Sequence, residues 1–143
     1  MLNVCSRIVV PFDNSERSKK ALNTAMTLAK QDEKIELSVI TVLDKLRFPN
    51  VNSNMIAIED GYITAAKEAL SAVEENLKTI PNKTSTVILE GNAGVTIVDF
   101  IKDNHVDLVI MGSRGLSDIE ELFLGSVSHY VVQKSPSPVL IIK

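Results

Sequence analysis

Residues 107–115 read DLVIMGSRG, an apolar run that passes directly into a loop with two glycines three residues apart. The apolar residues predict a buried strand. Gly112 and Gly115 predict a loop whose backbone comes close to a bound group, because glycine has no Cβ to obstruct it. Ligands of open α/β sheets bind beyond the carboxyl ends of the strands. This loop is therefore the first place where a binding site is expected.

Outward from this stretch, strand-like and helix-like segments alternate along the chain. A β-branched run over residues 7–12 ends near a proline and is typical of a strand buried on both faces. Further strands are predicted over residues 35–43, 84–89 and 136–142. Helices are predicted after the cap candidates 13–16, over 62–80 up to a stop at Pro81, after the cap candidate Asn92, and over 126–134. This alternation predicts an α/β fold with a parallel sheet and helices on both faces.

The segment 44–61 differs from the rest of the chain. It contains Pro49 and several asparagines, and its apolar residues follow neither a helical nor a strand period. That composition predicts a loop. A loop of this length in a compact domain is usually either functional or disordered.

Composition excludes several classes of protein. The chain has 143 residues, of which 45% are hydrophobic and 23% charged, and its net charge is −3. These values predict one globular domain over residues 1–143. The acidic balance lacks the basic footprint that nucleic acids and anionic membranes require. Cys5 is the only cysteine, which excludes an internal disulfide, and no signal-peptide pattern is present, so a cytoplasmic location is expected.

A second glycine- and serine-containing stretch, Gly125-Ser126-Val127-Ser128, opens the last predicted helix, with nine residues between Gly115 and Gly125. A helix N-terminus presents free N–H groups and a partial positive charge to an anion. Serine hydroxyls add further donors. The combination favours a polyphosphate. Simpler readings stay open: a tight turn at the glycines, a plain helix cap at Ser126, and a cap of the first helix at Asp13.

Together these stretches resemble the universal stress protein family. The resemblance covers essentially the whole chain and rests on residues 8–13, 107–115 and 137–142. It implies a five-stranded parallel sheet in the order 3-2-1-4-5, Rossmann-like and similar to the adenine nucleotide alpha hydrolases. The glycine pattern is similar to that of the family's ATP-binding branch. The resemblance therefore implies ATP and a Mg²⁺ or Mn²⁺ ion as ligands.

The resemblance also implies roles for individual residues. Asp13 corresponds to an acidic residue at the ribose, and Val42 to the position that receives adenine through backbone groups. The other implied contacts with the nucleotide are Pro11, Phe12, Met111, Gly112, Arg114, Gly115, Gly125, Ser126, Val127 and Ser128. No catalytic residue is implied, and we find no positioned base to activate water, so weak or absent ATP hydrolysis is expected.

The implied function is a nucleotide-dependent switch in the stress response, in which the ligand orders segment 44–61. Two alternatives remain, a nucleotide-free protein that acts as a dimeric interaction module and a weak enzyme on adenylates. The tail Val139–Ile142 is apolar at every position and forms a sheet edge in the expected order, which invites pairing with another chain. The resemblance implies a homodimer joined through this strand.

Overall fold

The computed structural model describes residues 5–44, 53–115 and 124–143, with residues 53–59 described by their backbone. Strands and helices alternate in the order β1 (Arg7–Pro11), α1 (Glu16–Ala29), β2 (Glu36–Leu43), α2 (Ser53–Leu77), β3 (Thr84–Glu90), α3 (Ala93–Asp103), β4 (Leu108–Gly112), α4 (Ser126–Lys134) and β5 (Val139–Ile142). All neighbouring strands pair in parallel, and the sheet order is β3-β2-β1-β4-β5. The predicted α/β fold and sheet order are confirmed.

The central strands of the sheet are buried on both faces, as the apolar run of β1 predicts. Successive strand residues point to opposite faces of a sheet. Ile8 and Val10 belong to the core beneath α1 and α2, whereas Val9 belongs to the core beneath α3 and α4. At most 1% of the surface of each is exposed. A layer of two helices therefore covers each face of the central strands, and the ends of these strands are the places left for a ligand.

The loop predicted for residues 44–61 is wrong over residues 53–61, because α2 already begins at Ser53. Residues 45–52 lie outside the described residues. The local asparagine and serine content favoured a loop, but α2 is anchored on the sheet by the buried residues Leu70, Val73 and Leu77. Once a helix is anchored, each further residue adds a hydrogen bond without a new nucleation cost. A ligand is therefore not needed to order residues 53–61.

The other helices begin where the sequence predicts. The Ser15 side chain caps α1 by accepting from the Ser18 N–H, and Asn92 caps α3 by accepting from the Val95 N–H. The last helix spans Ser126–Lys134, as predicted. Although α2 has 25 residues, no helix in the described part of the chain is apolar enough over a sufficient length to cross a bilayer.

Asp107 holds the amino ends of β1 and β4 together, opposite the edge where a ligand is expected. Its Oδ2 accepts hydrogen bonds from the Ser6 N–H, the Ser6 hydroxyl and the Arg7 N–H at 2.9, 2.6 and 2.9 Å. The bond from the Ser6 hydroxyl, followed by the two backbone bonds, holds the pKa of Asp107 below its ordinary value of 3.8. Asp107 therefore contributes stability in its ionised form.

We expect Asp107→Asn to lower the Tm at pH 7 and to lower it less at pH 3. A carboxylate whose pKa is depressed in the folded state stabilises above its unfolded pKa, and the contribution disappears as the pH falls through the folded pKa. Thermal unfolding followed by circular dichroism at both pH values measures the difference. The exposed Asp103 at the end of α3 provides the control Asp103→Asn, for which no loss of Tm is expected. Equal losses for Asp107→Asn at both pH values would contradict the assignment.

Candidate functional site

The carboxyl ends of β1, β2 and β4 open into a cavity of about 620 Å³. The starts of α1, α3 and α4 and the segments before them contribute to its wall, and one face of α2 lines it as well. Because the strands are parallel, the loops that follow them all gather at this edge. The amino ends of three helices therefore lie around one space, an arrangement that favours an anion.

Eleven of the twelve residues implied by the resemblance line this cavity. They are Pro11, Phe12, Asp13, Val42, Met111, Gly112, Arg114, Gly115, Ser126, Val127 and Ser128. The exception is Gly125, which is buried and occupies the N-cap position of α4. The residues after three different strands are thus brought to one place, as the topology predicts.

The two parts of the glycine loop are joined at the carbonyl oxygen of Ser113. The Gly125 N–H donates to this oxygen at 2.8 Å, and the Ser128 hydroxyl donates to it at 2.7 Å. Residues 116–123, which carry most of the spacing between the two parts, lie outside the described residues. Ser128 is 3% exposed and its proton is engaged within the protein. Ser126 is exposed, so its hydroxyl is the more accessible donor.

The structure removes two of the simpler readings. Gly125, with φ −69° and ψ 164°, is the N-cap of α4, so Ser126 is the first helical residue rather than the cap. Asp13 does not cap α1, because Ser15 does so. The Asp13 Oδ1 instead accepts from the Ser15 N–H at 2.9 Å and shapes the turn before the helix.

Gly115 lies directly against Asp13. A Cβ at Gly115 would collide with the Asp13 Oδ2. Any larger residue therefore displaces the carboxylate or moves the loop. The loop and the exposed Asp13 form one continuous part of the cavity wall.

Gly112 has a structural reason to be glycine. A Cβ there would lie 2.8 Å from the Arg17 Cβ, 3.0 Å from the Arg17 carbonyl carbon and 3.2 Å from the Ser18 nitrogen. All three atoms belong to the first turn of α1, and two of them, the Arg17 carbonyl carbon and the Ser18 nitrogen, are backbone atoms. Gly112 thus lets α1 approach the end of β4, independently of any ligand.

The backbone of Val42 faces the cavity. The Glu36 N–H donates to the Ser6 carbonyl, and the Ile40 carbonyl accepts from the Phe12 N–H. Even-numbered residues of β2 therefore direct their backbone groups toward β1, since the direction alternates along a strand. The register between the two strands ends opposite Ile40. The N–H and C=O of Val42 consequently point past the end of β1, where a planar base could pair with them.

The sequence prediction missed the walls that α2 and α3 supply. These residues are Tyr62, Ala65, Ala66, Ala69, Asn92, Ala93, Gly94 and Ile97, and Tyr130 of α4 joins them. The Tyr130 ring packs on α3, since a Cβ at Gly94 would lie 2.8 Å from the ring. The cap at Asn92 was the available signal, because it places a helix start after β3 at the same edge of the sheet. The helix over 62–80 was predicted, but no comparable signal indicated that α2 borders the cavity.

Among the residues that the structure describes, Asp13, Asp44 and Arg114 are the charged ones that line the cavity. No group of three or more His, Cys, Asp or Glu residues within the described ranges could hold a metal ion. Mg²⁺ commonly binds through one or two carboxylates together with the phosphates of its substrate. The carboxylates that the described residues offer here therefore fit an ion that binds together with a phosphorylated ligand.

The chain matches a known protein family over nearly its whole length. The model of the Universal stress protein family matches residues 5–143. The chain belongs to this family. The universal stress protein YxiE of Bacillus subtilis is 30% identical over an alignment of 149 positions, which includes 96% of this chain and 99% of YxiE.

Solved structures agree with the family membership. The structure of MJ0577, a universal stress protein of Methanocaldococcus jannaschii, superposes with a TM-score of 0.86 at 28% identity and covers 98% of this chain and 96% of its own. The sheet order β3-β2-β1-β4-β5 of the present chain is that of an adenine nucleotide alpha hydrolase-like fold.

Two solved family members contain nucleotides. One from Arabidopsis thaliana has AMP bound, with a TM-score of 0.73 at 16% identity over 96% of this chain and 91% of that one. Another is in complex with cAMP, with a TM-score of 0.63 at 22% identity over 96% of each chain. At 16% and 22% identity, the similarity between these two structures and the present chain is a similarity of fold.

Proposed function

We propose that this universal stress protein binds ATP together with a divalent ion and acts as a nucleotide-dependent switch in the stress response. The observation that carries the proposal is the joint at the Ser113 carbonyl. It holds the Gly112–Gly115 loop against the amino end of α4, beside Asp13. A glycine loop next to a helix start is suited to phosphates, because backbone N–H groups can approach them without obstruction.

Each part of the cavity has a separate role in this proposal. The backbone of Val42 receives the adenine, and the Asp13 carboxylate accepts hydrogen bonds from the ribose hydroxyls. The phosphates lie at Gly115 and at the N–H groups that begin α4, where the helix dipole and the Ser126 hydroxyl favour negative charge. The Arg114 guanidinium is suited to the same group because its donors match phosphate oxygens in pairs.

A Mg²⁺ or Mn²⁺ ion in this site would be held mainly by the phosphates, with Asp13 or Asp44 as the carboxylate ligand from the protein. Its chemistry there is the neutralisation of phosphate charge. Such an ion offsets the two carboxylates, which would otherwise repel a polyphosphate in a cavity lined by the single described cation Arg114.

The cytoplasmic location of the protein and the weak or absent hydrolysis of ATP stay predictions.

Isothermal titration calorimetry with ATP, AMP, cAMP and GTP, each with and without Mg²⁺, tests the proposal. We expect ATP to bind and Mg²⁺ to strengthen its binding. Absence of binding by all four ligands would support the nucleotide-free interaction module instead. Analysis of products after long incubation with ATP would identify an adenylate-handling enzyme.

We expect Asp13→Ala to weaken ATP more than it weakens inorganic triphosphate. The loss of a charged hydrogen bond to the ribose costs on the order of 1.5–3 kcal/mol, which is roughly ten- to a hundredfold in affinity. Calorimetry with both ligands measures the two losses. Asp13→Asn is the matched control, because it keeps an oxygen that can accept from the Ser15 N–H and so preserves the turn. Equal losses for ATP and triphosphate would show that Asp13 acts on the phosphates or the ion.

We also propose a homodimer joined through β5. This strand lies at the edge of the sheet, and its Leu140 is 39% exposed. An unpaired strand edge is a template for pairing, and a two-fold axis lets the same strand meet itself. Val139 and Ile141, although on the same strand, pack against the core beneath α4. Charges at those two positions would therefore disturb the fold as well as an interface.

We expect Leu140→Lys to shift the dimer toward monomer. The charge would lie on the exposed side of the edge strand and repel its copy across the two-fold axis. Light scattering after size exclusion at micromolar concentration measures the mass. Val95→Lys on α3 is the matched control, because Val95 is 43% exposed and α3 packs on β2 and β3, at the other end of the sheet from β5. A wild-type mass near 15.6 kDa would exclude the dimer.

A further inference from the structure

A second space lies next to the proposed nucleotide cavity. It is a groove of about 640 Å³ between α1 and α2. Four residues border both spaces, namely Phe12, Asn14, Ala65 and Ala69. The boundary between the cavity and the groove is therefore formed by very few side chains of the described residues.

Only one of these four side chains is large and buried. Ala65 and Ala69 end at Cβ, and Asn14 is an exposed turn residue with φ 67°. Phe12 is 6% exposed and belongs to the core beneath α1 and α2. Its backbone is fixed, since its N–H donates to the Ile40 carbonyl and its carbonyl accepts from the Thr41 hydroxyl. The Phe12 ring is thus held at the boundary by the end of β1.

The groove beyond the ring has an apolar floor. Leu22 of α1 and Val73 of α2 line the groove and do not line the nucleotide cavity. Both are buried, at 4% and 5% exposure. The exposed rim of the groove is polar and is formed by Lys19, Asn23, Glu68 and Asn76. An opening at Phe12 would therefore extend the nucleotide cavity over an apolar floor, where an apolar group can lie beneath the polar rim.

We propose that Phe12 is a specificity-determining residue that separates the nucleotide cavity from the α1–α2 groove and excludes nucleotides carrying a bulky apolar substituent. This inference rests on the proposed function, because it concerns the choice among nucleotides at the same cavity. A smaller residue at this position joins the two spaces. The substituent then enters the groove instead of colliding with the ring.

Affinity ratios test the role of Phe12. The variants are Phe12→Leu and Phe12→Val, which keep an apolar side chain in the core. The probes are ATP, ATP benzylated on the adenine amino group, and ATP carrying an N-methylanthraniloyl group on the ribose, all measured by calorimetry. For at least one analogue we expect the affinity relative to ATP to rise about tenfold or more in Phe12→Val, and less in Phe12→Leu.

Leu22→Val is the matched control. It also shortens a buried side chain of the groove, but it leaves the boundary in place, so the ratio should stay at the wild-type value. Thermal unfolding identifies the temperature at which all variants are folded. A rise in Leu22→Val as large as in Phe12→Val would overturn the inference, because a loosened core would then explain both.

Other outcomes separate this inference from the proposed function. If the wild-type protein binds ATP and neither analogue gains in either Phe12 variant, Phe12 is not the boundary and nucleotide binding stands. Wild-type affinity for both analogues equal to that for ATP would also overturn the inference. Absence of ATP binding by the wild-type protein would overturn the proposed function, and the inference with it.

Discussion

Gly115→Val is expected to weaken ATP binding by at least about a hundredfold, or ~2.7 kcal/mol, while the fold remains. Gly115 lies in a loop after β4, outside the core, so its replacement removes no packing. A Cβ at this position collides with the Asp13 Oδ2, and a β-branched side chain takes up still more of the space at the cavity wall. The substitution therefore acts on both the phosphate loop and the carboxylate beside it.

Calorimetry with ATP and Mg²⁺ measures the effect, and circular dichroism verifies the fold. Gly61→Val is the matched control, because a Cβ at Gly61 in α2 meets nothing within 4 Å. This control should bind ATP like the wild type. Full ATP affinity in Gly115→Val would refute the phosphate-loop assignment.

Gly112→Val is expected to lower the free energy of unfolding by about 3 kcal/mol, with Gly112→Ala lowering it by at least ~1 kcal/mol. The added Cβ meets the backbone of the first turn of α1 at 3.0 and 3.2 Å, and backbone in a helix cannot rotate away as a side-chain end can. The helix must therefore move off the sheet and lose part of its packing. This cost arises without any ligand.

Urea unfolding of the ligand-free protein measures this loss, with Gly61→Ala as the control for a glycine that has space around it. The two glycines of the same loop are thereby distinguished: Gly112 variants lose stability, whereas Gly115 variants lose ATP. Unchanged stability in Gly112→Val would show that α1 can adjust, and that packing does not require glycine at this position.

The chain order of the elements was predictable because its signals are local. Apolar runs identified β1 and β4, and single cap residues such as Asn92 marked a helix start. The parallel pairing follows from the alternation of strands and helices. The convergence of Asp13 and Gly112–Gly115 on one edge then follows from topology, since parallel strands end on the same side.

The start of α2 was not predictable, because the helical state of residues 53–61 depends on packing further along the helix rather than on their own composition. The alanines of α2 that line the cavity lie within the predicted helix 62–80, but which side of that helix borders the cavity depends on how α2 packs on the sheet. The sequence by itself determined which residues follow the strands and hence which edge holds the site. Only the tertiary structure decided that Gly112 serves the approach of α1, that Gly125 is a cap, and that the Phe12 ring borders a second space. These features depend on distances between residues far apart in the chain, and periodicity and propensity, being local, carry no information about such distances.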